Sequence, residues 1–111
     1  MTTRLESSDD QVLLEMVQIL VEAYRPEAIY LFGSRANGTT SEDADYDILV
    51  VVPESEQSAY RRCQDACVML AHVEASKDVL VLTRDEFERK CRVKSSLPAL
   101  VRREGKLLYA A

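Results

Sequence analysis

No run of the chain reaches the roughly 18 consecutive apolar residues that a helix needs to cross a bilayer. The first ten residues are polar and acidic, and they lack the basic region and apolar stretch of a secretory signal. Cysteine is sparse, and its count of three is odd in a chain whose apolar content, 47%, suffices for a hydrophobic core. That combination argues against a disulfide scaffold and for a reducing compartment. A soluble, cytoplasmic protein without membrane attachment is therefore expected. There is no Gly-Lys-Ser/Thr of a Walker A loop, no internal repeat, no low-complexity tract and no linker. Excess positive charge is also missing: the net charge is −5, which makes non-specific nucleic-acid binding unfavourable because phosphate contacts need Lys and Arg.

What is present is enough apolar residue for one core, and a length of 111 residues predicts one domain over 1–111. The charge is unevenly distributed. Residues 1–55 hold three Arg and no Lys against eleven acids, whereas residues 56–111 hold eleven basic residues against eight acids. The basic half either forms ordinary solvated helix surface or meets a polyanionic partner.

Ser8 and Gln11 read as a capping box ahead of Leu13, Met16, Val17, Leu20 and Tyr24, which recur at helical spacing, and Pro26 ends that helix. Ala28 to Phe32 is a short buried strand, Gly33 to Ala44 a polar loop, and Tyr46 to Val52 a second strand ended by Pro53. Ser55 to His72 is predicted as a helix with Tyr60, Cys63, Cys67, Leu70 and Ala71 on one face. Val79 to Leu82 is a third strand entered through Asp78, and Thr83-Arg-Asp-Glu caps a helix from Arg84. Ser96 to Arg103 is a helix with Pro98 in its first turn and Gly105 at its end, followed by a short strand over Leu107 to Tyr109. Strands alternating with helices around a small sheet make an α/β (α+β) domain.

Two segments carry chemistry. Gly33 lets the chain turn sharply and approach a ligand, and Ser34 then offers a hydroxyl and an N–H to a phosphate oxygen. Arg35 either adds positive charge or covers a nearby acid. Glu42, Asp43, Asp45 and Asp47 follow as four acids within six residues, a spacing that is unfavourable without a cation or solvent. Asp45 and Asp47 are two apart at the start of a strand, so both project to one face and can share Mg²⁺, a hard cation that takes oxygen ligands and phosphate. Asp47 stands inside an apolar strand, where an unpaired carboxylate is costly. Glu42 and Asp43 belong to the exposed loop. Asp78 is a third acid, at the mouth of another apolar strand. Should the two strands be neighbours, the three carboxylates converge, and Asp78 can hold a second ion and accept a proton from an attacking hydroxyl.

Other groups fit less well. Cys63 and Cys67 at i, i+4, with His72 five residues on, match no closed zinc set, so both cysteines are expected to be buried and structural. His72, the sole histidine, is not needed as a base. Arg61-Arg62 and Arg102-Arg103 are either ordinary exposed positions or contacts to a partner or RNA.

The run Gly33-Ser-Arg-Ala-Asn-Gly38, five further residues, and Ala44-Asp-Tyr-Asp-Ile-Leu-Val50 resembles the signature of the minimal nucleotidyltransferases, within the polymerase-β-like nucleotidyltransferase superfamily. The resemblance extends from Ala28 to Tyr109 and includes Val101 to Tyr109, similar to the family's final helix and strand. Ala44 departs from the Ser often found there, which alters loop hydrogen bonding rather than metal binding. The resemblance implies a small mixed β-sheet flanked by helices. It also implies that Gly33, Ser34 and Arg35 bind nucleotide, and that Asp45, Asp47 and Asp78 are the catalytic, metal-binding carboxylates for Mg²⁺, two ions, with ATP as substrate. Proteins of this kind are commonly antitoxins that transfer AMP to a tyrosine of a partner HEPN ribonuclease toxin. Two other readings stand beside that one: an antitoxin that masks the toxin by binding alone, and a nucleotidyltransferase acting on a small hydroxylated molecule.

Overall fold

The computed structural model describes residues 2–3, 11–33 and 45–111. Their elements run β1 (Thr2–Thr3), α1 (Gln11–Tyr24), β2 (Ala28–Phe32), β3 (Tyr46–Val52), α2 (Ala59–Met69), β4 (Lys77–Thr83), α3 (Arg84–Cys91), α4 (Leu97–Glu104) and β5 (Lys106–Ala110). The strands form one mixed sheet in the order β1-β5-β2-β3-β4. Only β3 and β4 are parallel, joined through α2; the other pairs are antiparallel. This is the α+β architecture of a small mixed sheet flanked by helices that the sequence predicts. None of the described helices is long and apolar enough to cross a membrane.

The element bounds follow local chemistry. Arg25 closes α1 in the left-handed region (φ 47) and donates its N–H to Val21 O at 2.9 Å, and Pro26 cannot continue the helix. Thr83 and Glu86 form the expected capping box at the start of α3. Ser96 caps α4, and Gly105 ends it in an extended rather than a left-handed conformation. Ser8, half of the box proposed for α1, lies outside the described residues.

The apolar run of β3 is buried on both faces because helices cover both. Ile48 and Val50 pack with α1 and α2 around Met16, Leu20, Ala66 and Leu70. Leu49 and Val51 pack with Phe87 and Cys91 of α3 and Val101 of α4. By alternation, Asp47 belongs to this second face, at the end that α3 and α4 leave uncovered.

Helix α2 departs from expectation. It is shorter than Ser55 to His72, starting after the Ser58 cap, and its inward face runs through Arg62, Ala66 and Leu70. Tyr60 and Cys67 face solvent, and Cys63 is half-buried, accepting the Val81 N–H on its sulfur at 3.4 Å. The expectation of two buried cysteines is thus corrected, as is that of an exposed Arg62. Arg62 is 2% exposed because its Nη2 donates to both Glu86 oxygens at 2.8 and 2.9 Å, tying α2 to the cap of α3. A sequence pattern ranks arginine as outward, and only the distant carboxylate reverses that.

Candidate functional site

Strand register brings the predicted acids together. In the parallel β3–β4 pair Asp47 stands opposite Asp78, and in the antiparallel β2–β3 pair it stands opposite Phe32. Asp45 precedes Asp47 by two residues and projects to the same face. Asp78 lies inside β4, which begins at Lys77, rather than ahead of the strand. The Tyr46 N–H bonds Ser76 O at 2.9 Å and locks the two strand starts side by side.

Asp47 feels this arrangement. Partial burial raises its carboxyl pKa above the ordinary 3.8, and the negative charges of Asp78 and Asp45 raise it further. Among the described residues, no cation pairs with any of the three. Asp45 and Asp78 are exposed and Asp47 is half-buried, so the cluster opens to solvent.

Gly33 closes over it. Its φ of +77 lies in the left-handed region, and a Cβ there would collide with the Asp47 carboxylate. The turn therefore runs directly across the acid. Gly33→Ala is expected to cost about 1–3 kcal/mol, from the backbone conformation and the displaced carboxylate together. The corresponding fall in Tm is about 5–12 °C. A thermal melt checks this, and an unchanged Tm would show that the turn does not press on Asp47. Ser34, Arg35, Glu42, Asp43 and Ala44 lie outside the described residues.

A cleft of about 310 Å³ begins at Asp47 and Gly33 and extends along α4, lined further by Phe32, Leu97, Leu100, Val101, Glu104 and Gly105. Sequence reasoning overlooked this wall. Its signal was the i, i+3, i+4, i+7 series Leu97, Leu100, Val101, Glu104, which reads as an ordinary core stripe although only Val101 is buried. His72 does not line the cleft; it is exposed and 3.6 Å from Glu15.

Among the described residues, no three acidic, histidine or cysteine side chains converge into a preformed metal cage. The donor chemistry still fits a hard divalent ion. The three groups are oxygen donors, the charges of Asp78 and Asp45 bear on Asp47, and among the described residues no cation relieves them.

Carboxylates on adjacent strand starts beside a glycine turn are the kind of donor set that metal-assisted phosphoryl and nucleotidyl transfer uses. The chain belongs to the nucleotidyltransferase domain family, whose model matches residues 13–108. Among solved structures it is similar to a nucleotidyltransferase candidate from Sulfolobus solfataricus, with 23% identity, a TM-score of 0.61, and 90% of this chain and 78% of that one covered. It is also similar to a mutant of the toxin–antitoxin pair MntA–HpeT (18% identity, TM-score 0.53, 88% and 72% covered). A third likeness is to a toxin–antitoxin complex with AMP-PNP (24%, TM-score 0.50, 87% and 73% covered). At these identities the likeness establishes the fold. No curated protein matches the chain.

Proposed function

We propose that this nucleotidyltransferase transfers AMP from ATP to a hydroxyl of a partner protein, a tyrosine of a HEPN toxin, and acts as the antitoxin. The observation that carries the reading is the parallel register of Asp47 with Asp78, with Asp45 two residues upstream and Gly33 pressed onto Asp47. Similarity to toxin–antitoxin structures, one of them with an ATP analogue, supports the choice of donor and partner.

In this reading the Gly33-Ser34 turn holds the β- and γ-phosphates, with Arg35 adding charge. Asp45, Asp47 and Asp78 would hold Mg²⁺, which supplies charge neutralisation and polarises the α-phosphate. Asp78, exposed on β4, takes the proton from the acceptor hydroxyl. The acceptor oxygen forms its bond to the α-phosphorus in line, the bond from that phosphorus to the bridging oxygen breaks, and pyrophosphate leaves with the electron pair.

The test incubates the chain with ATP, Mg²⁺ and the coexpressed partner and measures intact mass. A gain of one or more AMP units on the partner is expected, and it disappears in the Asp45→Ala, Asp47→Ala double variant. An unchanged partner mass would refute the transfer. Were the double variant to protect cells from the toxin as well as the wild type does, masking by binding would be the neutralising mechanism.

A further inference from the structure

We propose that the exposed edge of α4, with the turn that precedes it, is the docking surface for the acceptor protein, whose facing surface is apolar at its centre and acidic at its rim. The inference rests on the transfer reading above and adds the place where the acceptor is held.

The apolar centre is unusual. Leu97 and Leu100 remain 41% and 42% exposed, and Val93 in the α3–α4 turn is 58% exposed, although Val101 of the same helix is fully packed. Single exposed apolar residues are ordinary, but Leu97 and Leu100 share one edge of the helix and line one cleft, with Val93 exposed in the preceding turn, which makes a surface that a partner can cover. Leu97 and Leu100 also line the cleft that holds Asp47. Whatever covers them therefore stands beside Asp47, near where an acceptor hydroxyl has to be.

The rim is basic. On the other side of α4, Lys94, Arg102 and Arg103 line a second cleft of about 210 Å³. Arg102 is held in place by Glu88 at 2.8 Å and by the Phe87 ring at 5.7 Å from its centroid. Arg103 lies 3.7 Å from Glu104, which lines the apolar cleft, and Lys94 has no carboxylate partner among the described residues. In a chain of net charge −5 this local positive edge selects an acidic partner surface, and an apolar centre inside a charged rim is the usual anatomy of a protein interface. A second copy docked about a two-fold axis would set basic rim against basic rim. Nucleic acid would leave the leucines unburied and push its phosphates toward Asp45, Asp47 and Asp78.

The test coexpresses the chain with the product of the neighbouring gene as the probe and measures the complex by affinity capture and its Kd by calorimetry. Val93→Asp with Lys94→Glu, and separately Leu100→Arg, are expected to weaken the complex tenfold or more while the thermal melt stays close to wild type. Asp47→Asn is expected to keep the complex and lose the modification. Wild-type affinity in both surface variants, or no complex with the wild-type chain, overturns the docking surface. A complex that forms and depends on α4 but leaves the partner unmodified supports the surface and refutes the transfer reading. Binding of a 20-nucleotide single-stranded RNA that is lost in Lys94→Glu, while capture of the protein probe is unaffected, overturns the assignment in favour of nucleic acid.

Discussion

Asp47→Asn is expected to abolish nucleotidyl transfer and at the same time to stabilise the metal-free protein. The wild-type carboxylate is partly buried beside Asp78 and Asp45, so its pKa in the folded state is above the ordinary 3.8. A folded state that binds a proton more tightly than the unfolded chain is favoured at low pH, and that advantage is lost as the pH rises from 3.8 through the raised value. At neutral pH the folded wild type thus carries a repulsion that Asn removes. Because the group keeps part of its contact with solvent, the gain is small, on the order of 0.5 kcal/mol or about 2–4 °C in Tm. The difference between the two melts should shrink as the pH is lowered toward 3.8. Added Mg²⁺ with ATP should reverse the order, since a ligand that binds only the folded wild type raises its Tm and leaves the variant unchanged. Transfer, followed by intact mass, should fall about 10³-fold. A variant less stable than wild type at pH 7 without metal would show that the three carboxylates do not repel one another as their register implies.

Glu86→Ala is expected to be the most destabilising single change outside the apolar core. Arg62 is almost wholly buried, Glu86 is its anion, and the Arg62 Nε and Nη1 donors have no partner among the described residues. Removing Glu86 leaves an uncompensated buried cation and half a capping box. A fully buried broken pair costs about 3–5 kcal/mol; with Glu86 partly solvated, about 2–4 kcal/mol is expected. That is a fall of about 8–18 °C in Tm. Arg62→Met, which fills the same space without a charge, should be close to neutral or stabilising, and the double variant should be more stable than Glu86→Ala alone. The pH dependence has the opposite sign to that of Asp47. Burial pushes the Glu86 pKa up, but hydrogen bonds from Thr83 and the charge of Arg62 outweigh it and hold the value below the ordinary 4.5. Its contribution is therefore present above pH 4.5 and is lost as the pH falls through the lowered value. Additive losses in the cycle would show that the two side chains do not act as a pair.

Much of the scaffold was legible in residue order because it depends on neighbours in the chain. The bounds of β2 and β3 follow from apolar runs closed by Gly33 and Pro53, and the starts of α3 and α4 follow from Thr83 and Ser96, whose oxygens accept N–H groups three residues on. Asp45 and Asp47 could be assigned to one face because alternation along a strand is a local property. Their opposition to Asp78 could not, since it requires β4 to lie parallel to β3 in one register, and a one-residue slip would turn Asp78 to the other face. Arg62 was misplaced for the same reason: its burial depends on a carboxylate 24 residues away. The exposure of Leu97 and Leu100 was not legible, because a helical stripe records which residues share a side, and not whether another element is there to cover them. The sequence alone thus determined most of the elements, though not β1 or the bounds of α2, and the acidic strand among them. Tertiary structure decided which carboxylates meet, that Gly33 bears on Asp47, and that α4 leaves an apolar wall beside them, because each of these needs contacts between segments far apart in the chain.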